Sequence, residues 1–168
     1  MKYLVIIALI LTSCSPKILL TNNTKLQIEN AGVSLDQVQF YNSSEIVLTR
    51  QSSKGELSVT GGKVKIRNGK YFEEIIIPRR TPGICESYDD KAVKVSFEEG
   101  SGTLIFLTNR EFFKIGAKEW VNNIGKLDYQ GKVFNITSGK DSQLMISKSV
   151  LTKIDRRKRV VKGNKIGK

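Results

Sequence analysis

Histidine is absent from the 168 residues, cysteine occurs twice, proline three times and tryptophan once. Without histidine the chain has no ordinary general base near neutral pH, lacks the commonest zinc ligand, and cannot form a Ser/His or Cys/His nucleophile pair. Two cysteines, Cys14 and Cys85, allow at most one bridge and cannot close a zinc site without imidazole. Neither a metal site nor a cofactor is expected. Long apolar runs are missing too. The longest, Tyr3 to Leu11, has nine residues, and a spanning helix needs about 20.

Those nine residues follow Lys2 and have the length of the apolar core of a secretory leader, roughly 7 to 15 residues. They run through Leu11, Thr12 and Ser13 directly into Cys14, within LILTSCSP at positions 9–16. That order resembles the lipobox of bacterial lipoproteins, and the resemblance covers only the first fourteen residues. It implies that the Cys14 thiol carries diacylglycerol, that the leader is cut just before it, and that the new amino terminus is acylated as well. A plain signal peptide with an incidental cysteine is the alternative. Ser15 stands where an aspartate would mark retention in the inner membrane, and SPKILLTNNTK carries no acidic cluster for surface export. By the resemblance, the expected location is the outer membrane, facing the periplasm. Lipid on Cys14 would leave Cys85 alone, so the mature chain is expected to rely on packing without an internal disulfide.

The remainder is long enough for one domain. Short apolar runs such as EIVLT, KVKIR, YFEEIII, AVKVSF, TLIFL and KVFNI are separated by NSS, NG, PRRTPG, EGSG and QG. Frequent strands with frequent turns predict an all-β fold, an antiparallel sandwich or partly open barrel built from hairpins. Asn68-Gly69 suits a type I′ turn, because both positions need positive φ. It pairs Ile66 with Tyr71 and Lys63 with Glu74, apolar on apolar and plus on minus. A second hairpin is predicted from Val95 to Leu107 through EGSG, with TLIFL central because it is apolar on both faces. A third, at Gln130-Gly131, would set Leu127 opposite Phe134. At most one short C-terminal helix is expected, over SVLTKI, with Ser149 as its cap. The predicted organisation is a leader at 1–13, a lipid-anchored linker at 14–27, a β-domain at 28–155 and a basic segment at 156–168.

Candidate chemistry is sparse. Paired carboxylates occur at Glu73-Glu74, Asp89-Asp90 and Glu98-Glu99, yet neighbours on a strand point to opposite faces and cannot act as a couple. No residue is assigned a catalytic role. Glu73 shares a face with Val64, Ile66, Tyr71 and Ile75, where a charge is costly unless paired. A bulge or a sheet margin that lets it reach water is the favoured reading, and an acid of raised pKa in a pocket is the alternative. In PRRTPGIC, Arg79 and Arg80 are candidates for holding an anion, or else solvated residues of a stiff crossover. Cys85 is read as a small buried hydrophobe rather than a reactive thiol. Trp120 is read as core, with stacking on a sugar as the alternative.

Charge carries the most information after the N-terminus. The chain holds 28 basic and 16 acidic residues, net +12, and +7 of that lies in the last sixteen positions. Such clusters are footprints for phosphate, carboxylate or anionic lipid, or else solvated tails. Arg156, Arg157, Lys158 and Arg159 are the anion-binding candidates there. The expected partners are the membrane through the N-terminal lipid, anionic lipid, lipopolysaccharide or peptidoglycan, and an unidentified protein, but not nucleic acid. The leading functional expectation is a non-enzymatic envelope lipoprotein. A carboxylate enzyme on cell-wall sugars and an accessory or inhibitor subunit of an envelope complex are the alternatives.

Overall fold

The computed structural model of the chain describes residues 16–53, 63–100 and 102–157. Its strands are β1 (Lys17–Leu19), β2 (Phe40–Asn42), β3 (Ile46–Ser52), β4 (Lys63–Arg67), β5 (Lys70–Ile77), β6 (Pro82–Tyr88), β7 (Ala92–Ser96), β8 (Thr103–Asn109), β9 (Phe112–Ile115), β10 (Glu119–Val121), β11 (Ile124–Tyr129), β12 (Lys132–Ser138) and β13 (Leu144–Ser147). Helices α1 (Asn22–Asn30) and α2 (Lys148–Arg157) complete the described elements, with a 3-10 turn at Leu35–Gln37.

The strands form two antiparallel sheets, in the orders β1-β13-β2-β6-β7-β8-β9 and β10-β11-β12-β3-β5-β4. Isolated bridges join Thr21 to Phe112 and Lys114 to Gln143. They draw the two margins of the seven-stranded sheet together without a continuous ladder, so that sheet curls but stays open. The all-β sandwich expected from the sequence is the fold found. Its core is alternation made solid. Ile46 and Leu48 of β3, Phe134 and Ile136 of β12, and Leu127 and Tyr129 of β11 point inward. They meet Phe40, Val93, Val95, Leu104 and Phe106 of the larger sheet in one buried cluster.

The three predicted hairpins are present, two of them in the predicted register. Asn68 and Gly69 take φ of 49° and 72°, and Ile66 faces Tyr71 while Lys63 faces Glu74. Ser96 faces Thr103, and β8 lies between β7 and β9. Leu127 faces Phe134 across the Gln130-Gly131 turn. A further two-residue turn, Asn122-Asn123, has φ of 48° and 65° and joins β10 to β11.

The N-terminal part departs from expectation. Residues 14–27 were expected to form a linker, but from Lys17 they are built into the domain as β1 and the first turns of α1. With α2 it makes two helices among the described residues, where at most one was expected. Asn-rich NNTKLQIEN is a weak helix former, and tertiary contacts supply what propensity lacks. Thr21 caps it by accepting from the Thr24 amide at 3.0 Å. Ile28 is fully buried, and Lys25 folds down onto Glu29 at 2.8 Å. At the other end α2 begins at Lys148, so Ser149 lies inside the first turn rather than at the cap. Ile154 of α2 is buried, with Val150 packed beside it as the spacing predicts.

Candidate functional site

One end of the sandwich gathers the two termini of the described chain. β1 lies antiparallel to β13 with Lys17 opposite Ser147, and the Lys148 amide donates to the Pro16 carbonyl at 2.9 Å. Lys17 spreads its ammonium over the Tyr41 ring, 4.0 Å from the centroid, a favourable cation–π placement. The chain therefore enters the domain beside the first turn of α2. From there α2 runs ten residues, about 15 Å at the usual helical rise. Lys148 and Lys153 are exposed along it. The α2 backbone includes Arg156 and Arg157. Their side chains, together with Lys158, Arg159 and Cys14, lie outside the described residues.

Arg79 and Arg80 sit at the other end. Asn42, fully buried, organises the crossover between the sheets. Its amide donates to Ser44 O at 2.7 Å and Pro78 O at 2.8 Å, and its Oδ1 accepts from the Thr81 amide at 2.8 Å. Arg79 Nε donates to Ser43 O at 3.0 Å. The Arg80 amide donates to Asn42 O with φ at 64°. Asn42 pairs with Leu144 at the start of β13, whereas Lys148 follows its end. Arg79 and Arg80 thus stand at the opposite end of β13 from Lys148, where α2 begins.

Glu73 corrects the sequence reading. It does not reach water at a sheet margin. Only 5% exposed, it accepts from Arg50 Nε at 2.6 Å and has Lys132 Nζ at 3.8 Å. Arg50 also stacks over the Phe134 ring, 5.8 Å from its centroid. The pairing is set by the β3–β5 ladder, in which Arg50 faces Glu73 directly. Glu74 points to the opposite face and pairs with Lys65. One member of each remaining pair, Glu98 and Asp89, has structural partners as well. Glu98 accepts from Tyr129 at 2.7 Å and Gln130 at 2.8 Å. Asp89 accepts from the amides of Lys91 and Ala92, and these bonds hold its carboxyl below the usual range. Burial, with Asp36 and Glu86 nearby, pushes the Cys85 thiol up to about 11. Buried and protonated, Cys85 is the packing residue the sequence suggested.

Trp120 also corrects its reading. It is 46% exposed on the margin strand β10 rather than in the core. It faces Gly125, where its Cη2 lies 3.0 Å from the point a Cβ would occupy and Ile136 Cδ1 lies 2.9 Å from the same point. The missing side chain lets the indole lie across β11 against Ile136. Ile136 in turn lines an open groove of about 680 Å³ at the Arg79 end, formed by the 44–45, 123–124 and 136–141 segments. Ser44, Glu45, Asn123, Thr137, Lys140 and Asp141 are among its walls. Gly139 closes the last segment tightly. A Cβ there would sit 2.2 Å from Glu45 O, and φ is 80°.

Comparison of the chain with protein-family models, with curated proteins and with solved structures finds no match.

Proposed function

We propose that this chain is a membrane-anchored periplasmic lipoprotein of the outer membrane with a non-enzymatic, structural or binding role. Its basic C-terminal segment meets anionic groups at the surface to which Cys14 tethers it. The supporting observation is the contact between Pro16 O and Lys148 N. Cys14 is two residues from Pro16, a reach of no more than about 7 Å. A lipid on Cys14 therefore holds the first turn of α2 close to the membrane, and the basic run begins about 12 Å further along that helix. Each buried methylene contributes about 0.8 kcal/mol, so one acyl chain binds reversibly while two or three hold firmly. A Lys or Arg near an anionic surface adds about 1 kcal/mol. Anionic lipid, lipopolysaccharide phosphate and peptidoglycan carboxylate share the sign that this segment requires. A non-enzymatic role is favoured because Glu73, Glu98 and Asp89 are each committed to a structural partner.

Mass spectrometry of the mature protein tests the anchor, with a diacylglycerol-modified Cys14 expected and an unmodified one fatal to the reading. Cys14→Ser should leave the protein outside the membrane fraction or stalled as a precursor. That lipid-free chain should bind vesicles containing anionic lipid, ignore neutral ones, and lose binding in high salt, since screening acts over about 8 Å at physiological ionic strength. Replacing Arg156, Arg157, Lys158 and Arg159 with glutamine should abolish binding without changing the melting temperature. Equal binding by both forms would leave the segment as a solvated tail.

A further inference from the structure

We infer that the groove between the 44–45, 123–124 and 136–141 segments is a saccharide-binding site, taking a hydroxyl-rich envelope glycan with one sugar ring against Trp120. A sugar ring offers an apolar C–H face and a rim of hydroxyls that both donate and accept. The groove is built to match both. Ile124 and Ile136 form its apolar part, and the half-exposed Trp120 indole adjoins Ile136 across Gly125. An aromatic ring partly open to solvent combines large apolar area with rigid geometry. Around it stand the Asn123 amide, the Thr137 and Ser138 hydroxyls, the Glu45 and Asp141 carboxylates and the Lys140 ammonium, a set that offers both donors and acceptors. Its volume lies within the range of small-molecule sites, about 300 to 1,000 Å³.

The walls are preorganised. Asn122 and Asn123 are held in a tight left-handed turn, and Gly139 lies against the Glu45 backbone. The hydroxyl of buried Ser142 accepts from the Ser44 amide at 3.4 Å and donates to Ser44 O at 3.3 Å, tying the first segment to the third. Asp141 is unsuited to act as a glycosidase acid. Hydrolysis of a glycosidic bond needs one carboxyl kept protonated as the acid. The hydrogen bond from Lys114 at 2.5 Å, reinforced by its charge, holds Asp141 below the usual carboxylate range. The groove also lies at the far end of β13 from Pro16 and Lys148, so a chain tethered at Cys14 would present it away from the membrane. The choice of an envelope glycan rests on the lipoprotein reading, whereas the saccharide site rests on the groove alone.

Trp120 is the single tryptophan of the chain, so its fluorescence reports on this site. The full-length protein, purified in detergent, is titrated in one arm with glycan fragments released from peptidoglycan and in the other with lipopolysaccharide core oligosaccharide. A saturable change in emission is expected in at least one arm, and that arm identifies the source. Asn123→Gly keeps the left-handed turn while removing the amide. Combined with Glu45→Gln, it should weaken binding about tenfold by calorimetry with an unchanged melting temperature. Flat titrations in both arms, or equal binding by the double variant, would overturn the inference. An unmodified Cys14 would overturn the anchor and leave a positive titration standing.

Discussion

The two ends of the β3–β5 ladder share one alternation and meet opposite fates. Toward one end, Ile46 and Leu48 face Ile77 and Ile75, all buried beneath the seven-stranded sheet. Toward the other, Arg50 faces Glu73 and Ser52 faces Tyr71. The same strands and the same face carry hydrocarbon in one half and a buried ion pair in the other. A strand's period decides only which side a residue takes, while the facing layer decides what that side must be. The Arg50 charge is balanced by Glu73 directly opposite, and its guanidinium also covers Phe134.

Breaking the apolar half should cost most. Leu48→Ala removes a fully buried side chain and should destabilise the domain by about 2 to 5 kcal/mol, read as a lowered denaturation midpoint. Glu73→Ala comes next. It leaves the largely buried Arg50 without this carboxylate, and breaking a buried pair costs about 3 kcal/mol. Urea unfolding of both variants sharpens the comparison. A Glu73→Ala protein as stable as wild type would show that the charged half contributes little.

The smallest effect is expected at Tyr129, buried on β11. Its hydroxyl donates to Glu98 at 2.7 Å, and burial first, then Glu98, raise its pKa far above the ordinary phenol value. A folded-state pKa raised above the unfolded one means the native state holds a proton that the unfolded chain releases. The resulting stability is fully present below about pH 10, the unfolded tyrosine value, and is lost as pH rises beyond it. Melting temperature should be flat with respect to this group at neutral pH and fall in alkali. Tyr129→Phe should cost about 1 kcal/mol at neutral pH and flatten the alkaline fall. An unchanged alkaline slope would remove Tyr129 from that account.

How much could be seen beforehand follows from range along the chain. Asn68-Gly69 and Gln130-Gly131 carry their turn chemistry in two adjacent residues, and their strands follow by counting outward. Helix α1 was hidden because its stability comes from Ile28, Lys25 and a single threonine cap rather than from a periodic stripe. Arg50 and Glu73 are 23 positions apart and meet only once β3 and β5 are aligned. Trp120 looked like core because a lone tryptophan usually is, and only its place on β10 over Gly125 leaves half of it open. The groove combines three segments distant in sequence, none of which carries a recognisable motif.

The sequence alone determined the alternation, the hairpin registers, the excess of positive charge at the C-terminus and the absence of imidazole chemistry, because each is a local or compositional property. The tertiary structure alone decided that the chain enters beside the first turn of α2, that Arg79 and Arg80 stand at the opposite end of β13 from Lys148, that Glu73 is paired with Arg50, and that Trp120 lies half-open over Gly125. Each of these depends on which strands become neighbours. Strand order is chosen by burial of the whole apolar set at once, and no short stretch of sequence contains that information.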